Sequence, residues 1–206
     1  LMFFMSKGRR GDNAIKKVAE YLDILGLNYA ASRYDEDTAK YPDRVMVGAE
    51  TIIRELPYNW ERVKKYPSVI GDFAWAAWDY LGEAGIGDYM YHSYNGLPLI
   101  AGSGTIDILG NIGAEAVFQQ IVWGLRNKPY ICISPLNHSD EIPKKSAWRF
   151  TNGINSWNWP GYIGKKTKVE VYSDASRVRL YLDKTLIGEK NVKEYIALFN
   201  ITYAPG

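Results

Sequence analysis

The chain has 206 residues, enough for one full domain or two small ones, and its hydrophobic content of 47% is that of a globular protein. Its 25 basic and 23 acidic residues nearly cancel, and no basic run exceeds two residues, so no nucleic-acid partner is expected. The single cysteine, Cys132, excludes an internal disulfide. No apolar run approaches the roughly 20 residues that span a bilayer, so no membrane partner is expected either.

The chain opens with LMFFMSKGRRG, in which the charges follow the apolar run, the reverse of the order in a signal peptide. This opening favours a chain that begins within a domain. Apolar residues at helical spacing then predict a helix over residues 13–23, with Asp12 or Asn13 as its N-cap. The face that this helix would bury carries Ile15, Val18, Ala19 and Leu22.

Three short apolar runs predict buried strands over residues 24–29, over residues 44–50 and from residue 68 onward. The polar stretch at residues 32–43 is expected to be a loop. Helices are predicted over residues 59–66, with Trp60 and Val63 facing inwards, and over residues 111–125, with Asn111 as the cap. Because strands and helices alternate and the strands are apolar on both faces, parallel βα units are expected to about residue 126.

From residue 128 the pattern changes. A segment that contains prolines leads to residue 148, and β-rich runs follow at residues 168–173, 177–183, 185–190 and 196–204. Short polar turns separate these runs, which is typical of an antiparallel sandwich. Four or five strands are fewer than the roughly seven of a full Ig-like sandwich, so the chain is expected to end within that domain.

Polar and aromatic residues collect at the predicted strand ends. In a βα barrel or an open parallel sheet, functional groups gather at the carboxyl ends of the strands. A buried carboxylate there needs a partner or a function, so the residues alone leave Glu50 open to a structural ion pair or a catalytic role. The 16 tyrosines and 7 tryptophans lean towards carbohydrate binding, with core packing as the alternative. The strand ends carry Asn28, Tyr29, Glu50, Trp75, Trp78 and Asp79.

Several segments together resemble glycoside hydrolase family 2. YPDRVMVGAET (residues 41–51) resembles the family's strand-seven motif, in which a strand ending in Ser-Glu or Ala-Glu presents the nucleophile. YPSVIGDFAWAAWDYLGEAGIG (66–87) resembles the strand-eight segment, and LDILGLNYAASRY (22–34) resembles the strand-six segment that ends in Asn-Tyr. SWNWPG (156–161) and VEVYSDASRVRLYLDKTLIG (169–188) resemble the sandwich domain that follows the barrel in one β-galactosidase-like branch.

The resemblance implies an α/β fold followed by an all-β fold. Residues 1–127 would be the C-terminal portion of a (β/α)8 TIM barrel, comprising its strands six to eight. Residues 128–147 would be a linker, and residues 148–206 an incomplete Ig-like β-sandwich. Such a truncated barrel would expose sheet edges and apolar surface, so self-association or partial disorder near the N-terminus is expected.

The resemblance also implies roles for individual residues. Glu50 would attack the anomeric carbon to form a covalent glycosyl-enzyme, and Tyr29 would donate a hydrogen bond that holds Glu50 ionised. Trp75 would form part of the floor under the sugar, with barrel-end packing as the alternative. Asp79 and Glu83 are expected to orient the site or its loop. The other residues that the resemblance implies for substrate binding are Asn28, Trp78, Asp79 and Asp107.

The implied activity is that of a retaining exo-β-glycosidase, most simply a β-galactosidase acting on terminal β-galactosides. Retaining hydrolysis uses two carboxyl groups about 5 Å apart. In this family the acid/base glutamate follows an asparagine on strand four, and no such pair precedes Glu50, so this chain alone is expected to be inactive. No Asn-x-Lys motif of the glucuronidase branch is evident in the predicted barrel portion, residues 1–127, which favours a neutral sugar, with β-glucuronides and β-mannosides as alternatives.

A different class of function stays open at this stage. The chain would then be a non-catalytic carbohydrate-binding or interdomain module, with Glu50 in a salt bridge and sugar bound at Trp157 and Trp159. No cofactor is implied. No metal site is expected either, because His92 and His138 are far apart and have no ligand-spaced partners.

Overall fold

The computed structural model of the chain describes residues 8–91 and 96–206, so the predictions for the first seven residues and for His92 lie outside the described residues. The described residues fall into two compact units. The first unit ends at Trp75, and the second is Ala76–Gly206. In the described part of the chain, no helix has the length and apolar character needed to cross a membrane.

The first unit alternates helices with strands of a parallel sheet. Its strands are β1, β2 and β3, in that order across the sheet, and both pairs are parallel, as the sequence predicts. A 3-10 turn, Ile53–Glu55, precedes the last helix. In chain order the elements are α1 (Gly8–Ala19), β1 (Leu25–Asn28), α2 (Ser32–Lys40), β2 (Met46–Thr51), α3 (Leu56–Lys65) and β3 (Val69–Ala74).

The predicted N-cap of the first helix is wrong. Helix α1 begins at Gly8, so Asp12 lies within the helix, where it is buried and its Oδ1 accepts a hydrogen bond of 2.6 Å from Arg33 Nη2. Ile15 and Ala19 pack against the core of the unit, whereas Val18 is exposed. The helix faces the core along Asp12, Ile15 and Ala19, because a buried ion pair anchors that side.

The predicted loop at residues 32–43 is also wrong, since most of it forms α2. This helix has few apolar residues, but Arg33 and Tyr34 are both buried. Arg33 bonds to the carboxylates of Asp12 and Asp37, and Arg44 Nη1 lies 2.8 Å from Asp37 Oδ2. A buried network of ion pairs thus fixes a helix that hydrophobic periodicity cannot indicate.

The core of the first unit lies between the sheet and its helices. The expectation that the strands are buried on both faces holds on one face only, because Ile70 and Phe73 of β3 are 53% and 66% exposed. The buried face carries the alternate residues of β1 and single residues of β2 and β3, which pack with the start of α2. The core residues are Leu25, Leu27, Ala30, Ala31, Tyr34, Met46 and Val69.

The described residues of the second unit form antiparallel strands and one helix, joined by long irregular segments. Helix α4 (Ala114–Val122) has Gly113 as its N-cap instead of the predicted Asn111. Its apolar residues are buried, whereas Leu125, the last residue of the predicted helix, lies beyond α4 and is exposed. A 3-10 turn covers Leu136–His138. The strands are β4 (Tyr89–Met90), β5 (Tyr130–Ile133), β6 (Lys144–Lys145), β7 (Lys166–Tyr172), β8 (Arg177–Leu182), β9 (Thr185–Asn191) and β10 (Ile196–Thr202).

Every named strand pair of the second unit is antiparallel, which confirms that prediction. The sheets are β10-β7-β5, β4-β6 and the hairpin β8-β9. Alternate residues of β7 and β10, including Val169 and Phe199, form the core of the largest sheet. Trp157 and Trp159 pack against this core, and Trp157 Nε1 donates to Ala204 O at 3.0 Å. Both tryptophans therefore contribute to packing within this unit.

Candidate functional site

The carboxyl ends of the three parallel strands form one edge of the sheet. Tyr29 follows β1, Glu50 is the second-last residue of β2, and Trp75 follows β3. Tyr29 N donates to Glu50 O at 2.7 Å, and Trp75 N donates to Thr51 O at 2.9 Å. Asn28 is the register partner of Glu50. The structure thus brings four of the predicted site residues to adjoining strand ends, with Glu50 on the middle strand.

Strand β2 has one extra residue just before its end. Leu27 pairs with Gly48, and the next residue of β1, Asn28, pairs with Glu50. On the other side, Gly48 pairs with Asp72 and Thr51 pairs with Ala74, so β2 again uses one residue more than its neighbour. This is a β-bulge, a device that redirects side chains and is frequent beside active sites.

The bulge changes which residue of β2 faces the helices. Strict alternation would place Glu50 on the same face as Met46 and Gly48. Instead Thr51 lies on the face that Met46 and Gly48 share. Its Oγ1 donates to Asp72 Oδ2 at 3.1 Å, and a Cβ at Gly48 would contact both Thr51 and Asp72. Glu50 is thereby removed from the helix-covered face.

Glu50 is half-buried, and within residues 8–91 and 96–206 no ion pair or hydrogen bond engages its carboxylate. The neighbouring Tyr29 has a φ of 53°, a left-handed conformation that costs a non-glycine residue roughly 1–3 kcal/mol. Such strained residues cluster at functional sites. The structure links Tyr29 to Glu50 through their main chains, so the predicted bond between the two side chains stays a prediction.

A buried polar cluster lies behind the end of β2, and the sequence reading missed it. Asp72 accepts hydrogen bonds from Tyr34 Oη at 3.3 Å, Thr51 Oγ1 at 3.1 Å and Asn59 Nδ2 at 3.4 Å. Burial raises the pKa of the Asp72 carboxyl to about 6. The signal available in the sequence was an aspartate inside an otherwise apolar strand, in the run VIGDFA.

The remaining predicted site residues belong to the second unit. Asp79 is buried, and its Oδ1 accepts from Tyr80 N at 3.1 Å and Gly102 N at 3.0 Å. A Cβ at Gly104 would lie 2.3 Å from Asp79 N, so the two segments meet at backbone contact. These contacts are those of a residue that holds a loop in place.

Asp107 organises a neighbouring turn. Its Oδ1 accepts from Leu109 N and Asn111 N, both at 2.9 Å, and its Oδ2 accepts from Asn111 Nδ2 at 2.8 Å. The side-chain bond from Asn111, followed by the main-chain bonds, lowers the pKa of Asp107. Trp78 is exposed and forms a parallel bridge with Ile106, and its ring lies beside Gly110. Trp78 and Asp107 therefore contribute to one loop region.

Two cavities of about 560 and 610 Å³ also lie in the second unit. The first lies under the β8-β9 hairpin beside Trp157, and the second is lined by Tyr89, Tyr91 and His138. His138 stacks on Tyr91 and lies 2.8 Å from Glu141. In the part of the chain that the structure describes, no three side chains of His, Cys, Asp or Glu form a metal-binding group.

The chain is similar to two solved structures of glycosyl hydrolase family 2 members from Bacteroides cellulosilyticus. The identities are 28% and 26%, with TM-scores of 0.76 and 0.70, and each match covers 97% of this chain. The matches cover 26% and 24% of those proteins, so the chain spans about a quarter of their length.

A β-glucuronidase from Bacteroides uniformis shows a similar fold at 16% identity, with a TM-score of 0.58, over 94% of this chain and 25% of its own. Residues 164–206 match a family described as a domain of unknown function, DUF4982. A search of curated protein sequences gives no match.

Proposed function

We propose that this chain, which belongs to glycoside hydrolase family 2, forms part of the catalytic region of a retaining exo-β-glycosidase with Glu50 as the nucleophile. The observation that carries the proposal is the position of Glu50. It stands at the carboxyl end of the middle parallel strand, half-buried, between Tyr29 and Trp75. A structural carboxylate at that depth needs a partner, and the described residues provide none.

In the proposed reaction a Glu50 oxygen attacks the anomeric carbon while the bond from that carbon to the leaving oxygen breaks. A second carboxyl group gives its proton to the leaving oxygen. It then takes a proton from water, which attacks the anomeric carbon and releases Glu50. We assign the second carboxyl group to residues outside this chain, so the 206-residue chain alone is expected to lack turnover.

The remaining roles follow from this assignment. Strands β1, β2 and β3 would be strands six, seven and eight of a (β/α)8 barrel that ends near residue 127. Residues 148–206 would begin an Ig-like sandwich. Tyr29 would hydrogen-bond to the nucleophile, Asn28 and Trp75 would contact the sugar, and the loops held by Asp79 and Asp107 would present Trp78. The contacts that Asp79 and Asp107 make with main-chain N–H groups support roles in loop positioning.

For the substrate, we propose a terminal β-galactoside. The support is the resemblance of residues 156–188 to the β-galactosidase-like branch and the lack of an Asn-x-Lys carboxylate-reading motif in residues 1–127. The similarity to a β-glucuronidase is one of fold, at 16% identity, and does not favour a uronic acid. β-Glucuronides and β-mannosides are the alternatives that a substrate panel distinguishes.

The test uses the full-length protein that contains this chain. Wild type, Glu50→Gly and Glu61→Gln are assayed with activated aryl β-glycosides in the galacto, gluco, manno and glucurono series. Glu61 is the control because it is an exposed residue of α3. We expect Glu61→Gln to match wild type and Glu50→Gly to lose activity by at least about 10³-fold, as nucleophile variants do.

Added azide then identifies the role of Glu50. With the nucleophile removed, azide attacks from the vacated side, and the product is an α-glycosyl azide. Hydrolysis by Glu50→Gly at the wild-type rate would contradict the proposal. A β-configured azide would also contradict it, because that product marks the acid/base residue.

A further inference from the structure

Asp72 is a buried carboxylate that the proposed reaction does not use. It lies in β3, and three neutral groups donate to it from three elements: Tyr34 of α2, Thr51 of β2 and Asn59 of α3. In the described part of the chain no cation pairs with it. Keeping such a carboxylate away from water is costly, so its position needs an explanation beyond packing.

The hydrogen bond from Thr51 connects Asp72 to the end of β2. Thr51 directly follows Glu50, and its Oγ1 lies 3.1 Å from Asp72 Oδ2 and 3.2 Å from Phe73 O. Thr51 O also accepts the main-chain N–H of Trp75. Thr51 is therefore held to β3 and Trp75 through both its side chain and its main chain, at the bulge that redirects Glu50, and Asp72 provides one of those attachments.

The backbone is shaped around this contact. A Cβ at Gly48 would lie 2.3 Å from Asp72 Oδ1 and 2.4 Å from Tyr34 Oη. Only glycine leaves room at that position for both oxygens. The absence of a side chain at Gly48 and the extra residue in β2 together let Asp72 reach Thr51.

Two titratable groups face Asp72, Tyr34 from α2 and Glu55 from the 3-10 turn. Burial raises the pKa of Tyr34, so its hydroxyl stays a donor, and burial also raises the pKa of Glu55. Burial is the main cause that brings the pKa of Asp72 to about 6, and the charge of Glu55 adds to it. Asn59 is fully buried, and its Oδ1 has no partner among the described residues.

We propose that Asp72 is a positioning residue for the nucleophile, which in its ionised form fixes Thr51 and thereby the bulged strand end that carries Glu50. This inference rests on the proposed function. An ionised acceptor forms the stronger hydrogen bond with the Thr51 hydroxyl. When Asp72 binds a proton it becomes a weaker acceptor, Phe73 O competes better for the Thr51 hydroxyl, and the attachment of Thr51 to the Asp72 side chain weakens. Activity therefore requires Asp72 in its ionised form.

The test compares Asp72→Asn, Thr51→Val and Thr51→Ser in the full-length protein. Wild-type kcat is expected to fall as pH decreases through about 6, the pKa of Asp72. Asp72→Asn is expected to lower kcat roughly tenfold or more at neutral pH, because small displacements of a reacting group cost that much. It is also expected to lose the ionisation near pH 6 while KM changes little.

Thr51→Val removes the same hydrogen bond and should reproduce both effects, whereas Thr51→Ser keeps the hydroxyl and should behave as wild type. The double variant Asp72→Asn/Thr51→Val should be no slower than either single one, because both substitutions act on the same hydrogen bond between Thr51 and Asp72. Asp35→Asn is the matched control. Asp35 accepts hydrogen bonds from Tyr58 and Tyr66, away from β2.

A wild-type pH profile and rate in Asp72→Asn would overturn the inference. If circular dichroism shows that Asp72→Asn does not fold, Thr51→Val provides the test. A wild-type pH profile and rate in Thr51→Val would then overturn the inference. Labelling of the wild type by a 2-deoxy-2-fluoro glycoside separates the two proposals. If Glu50 is not labelled, the proposed function fails. If Glu50 is labelled and the variants behave as wild type, only the role of Asp72 fails.

Discussion

At the scale of single residues, local backbone features support the candidate site. Tyr29 adopts a φ of 53°, and the end of β2 holds one residue more than its neighbours. The motif around residues 41–51 predicted that Glu50 would lie at the end of a strand, as it does in β2. Neither backbone feature was predictable, because a short apolar run carries no mark of an extra residue or of a left-handed φ at the residue that follows a strand.

Gly48 provides the sharpest residue-level prediction. In Gly48→Ala the new methyl group would lie 2.3 Å from Asp72 Oδ1, so Asp72 and Tyr34 must both shift within a buried cluster. We expect the free energy of unfolding to fall by about 1–3 kcal/mol, as for an overpacked core. Urea unfolding of the full-length protein, followed by tryptophan fluorescence, measures this change.

Gly71→Ala is the control for that prediction. It lies in the neighbouring strand, and a Cβ there would contact only Val47 Cγ2, at an ordinary distance of 3.7 Å. Its stability is expected to match or slightly exceed that of wild type, because alanine restricts the unfolded chain more than glycine does. Equal stability of the Gly48→Ala and Gly71→Ala variants would show that Asp72 does not need the space at Gly48.

At the scale of elements, strands were easier to predict than helices. The three parallel strands and the antiparallel runs follow from their apolar and alternating patterns, since burial on a sheet face leaves that mark. Helix α2 was missed because Arg33 and Asp37 fill its buried side. Charged residues at core positions make a helix look like a polar loop unless their partners are known, and Asp12 lies in another helix.

The same limit applies to Asp72. Its motif was recognised, but its contacts come from α2, β2 and α3, three elements that are separate along the chain. No spacing rule brings Tyr34, Thr51 and Asn59 to one carboxylate. A network assembled across elements becomes visible only when the packing is known, so the sequence indicated candidate residues but not the contacts that hold them in place.

At the scale of the whole chain, apolar surface remains uncovered. In the first unit β1 and β3 are the outer strands of the sheet, and Ile70 and Phe73 are exposed. Exposed strand edges and apolar patches favour association between chains. We therefore expect the isolated 206-residue chain to self-associate in a concentration-dependent manner, as measured by multi-angle light scattering.

Replacing Phe73 by lysine should reduce that association, because a charge on a strand face opposes pairing with a second chain. The same replacement at Leu125, an exposed residue of the second unit, serves as the control. Leu125→Lys should leave association unchanged. A monodisperse monomer of the wild-type chain across the concentration series would contradict the expectation.

The measurement that tests the central claim most directly is the position of a trapped glycosyl group. The full-length protein is incubated with an activated 2-deoxy-2-fluoro-β-galactoside, and the labelled peptide is identified by mass spectrometry. We predict a label on Glu50, which would establish the nucleophile and the retaining mechanism together. A label on another carboxylate of an active enzyme would contradict the assignment of Glu50. A label on Glu50 obtained only from the gluco, manno or glucurono analogue would keep the mechanism and change the substrate.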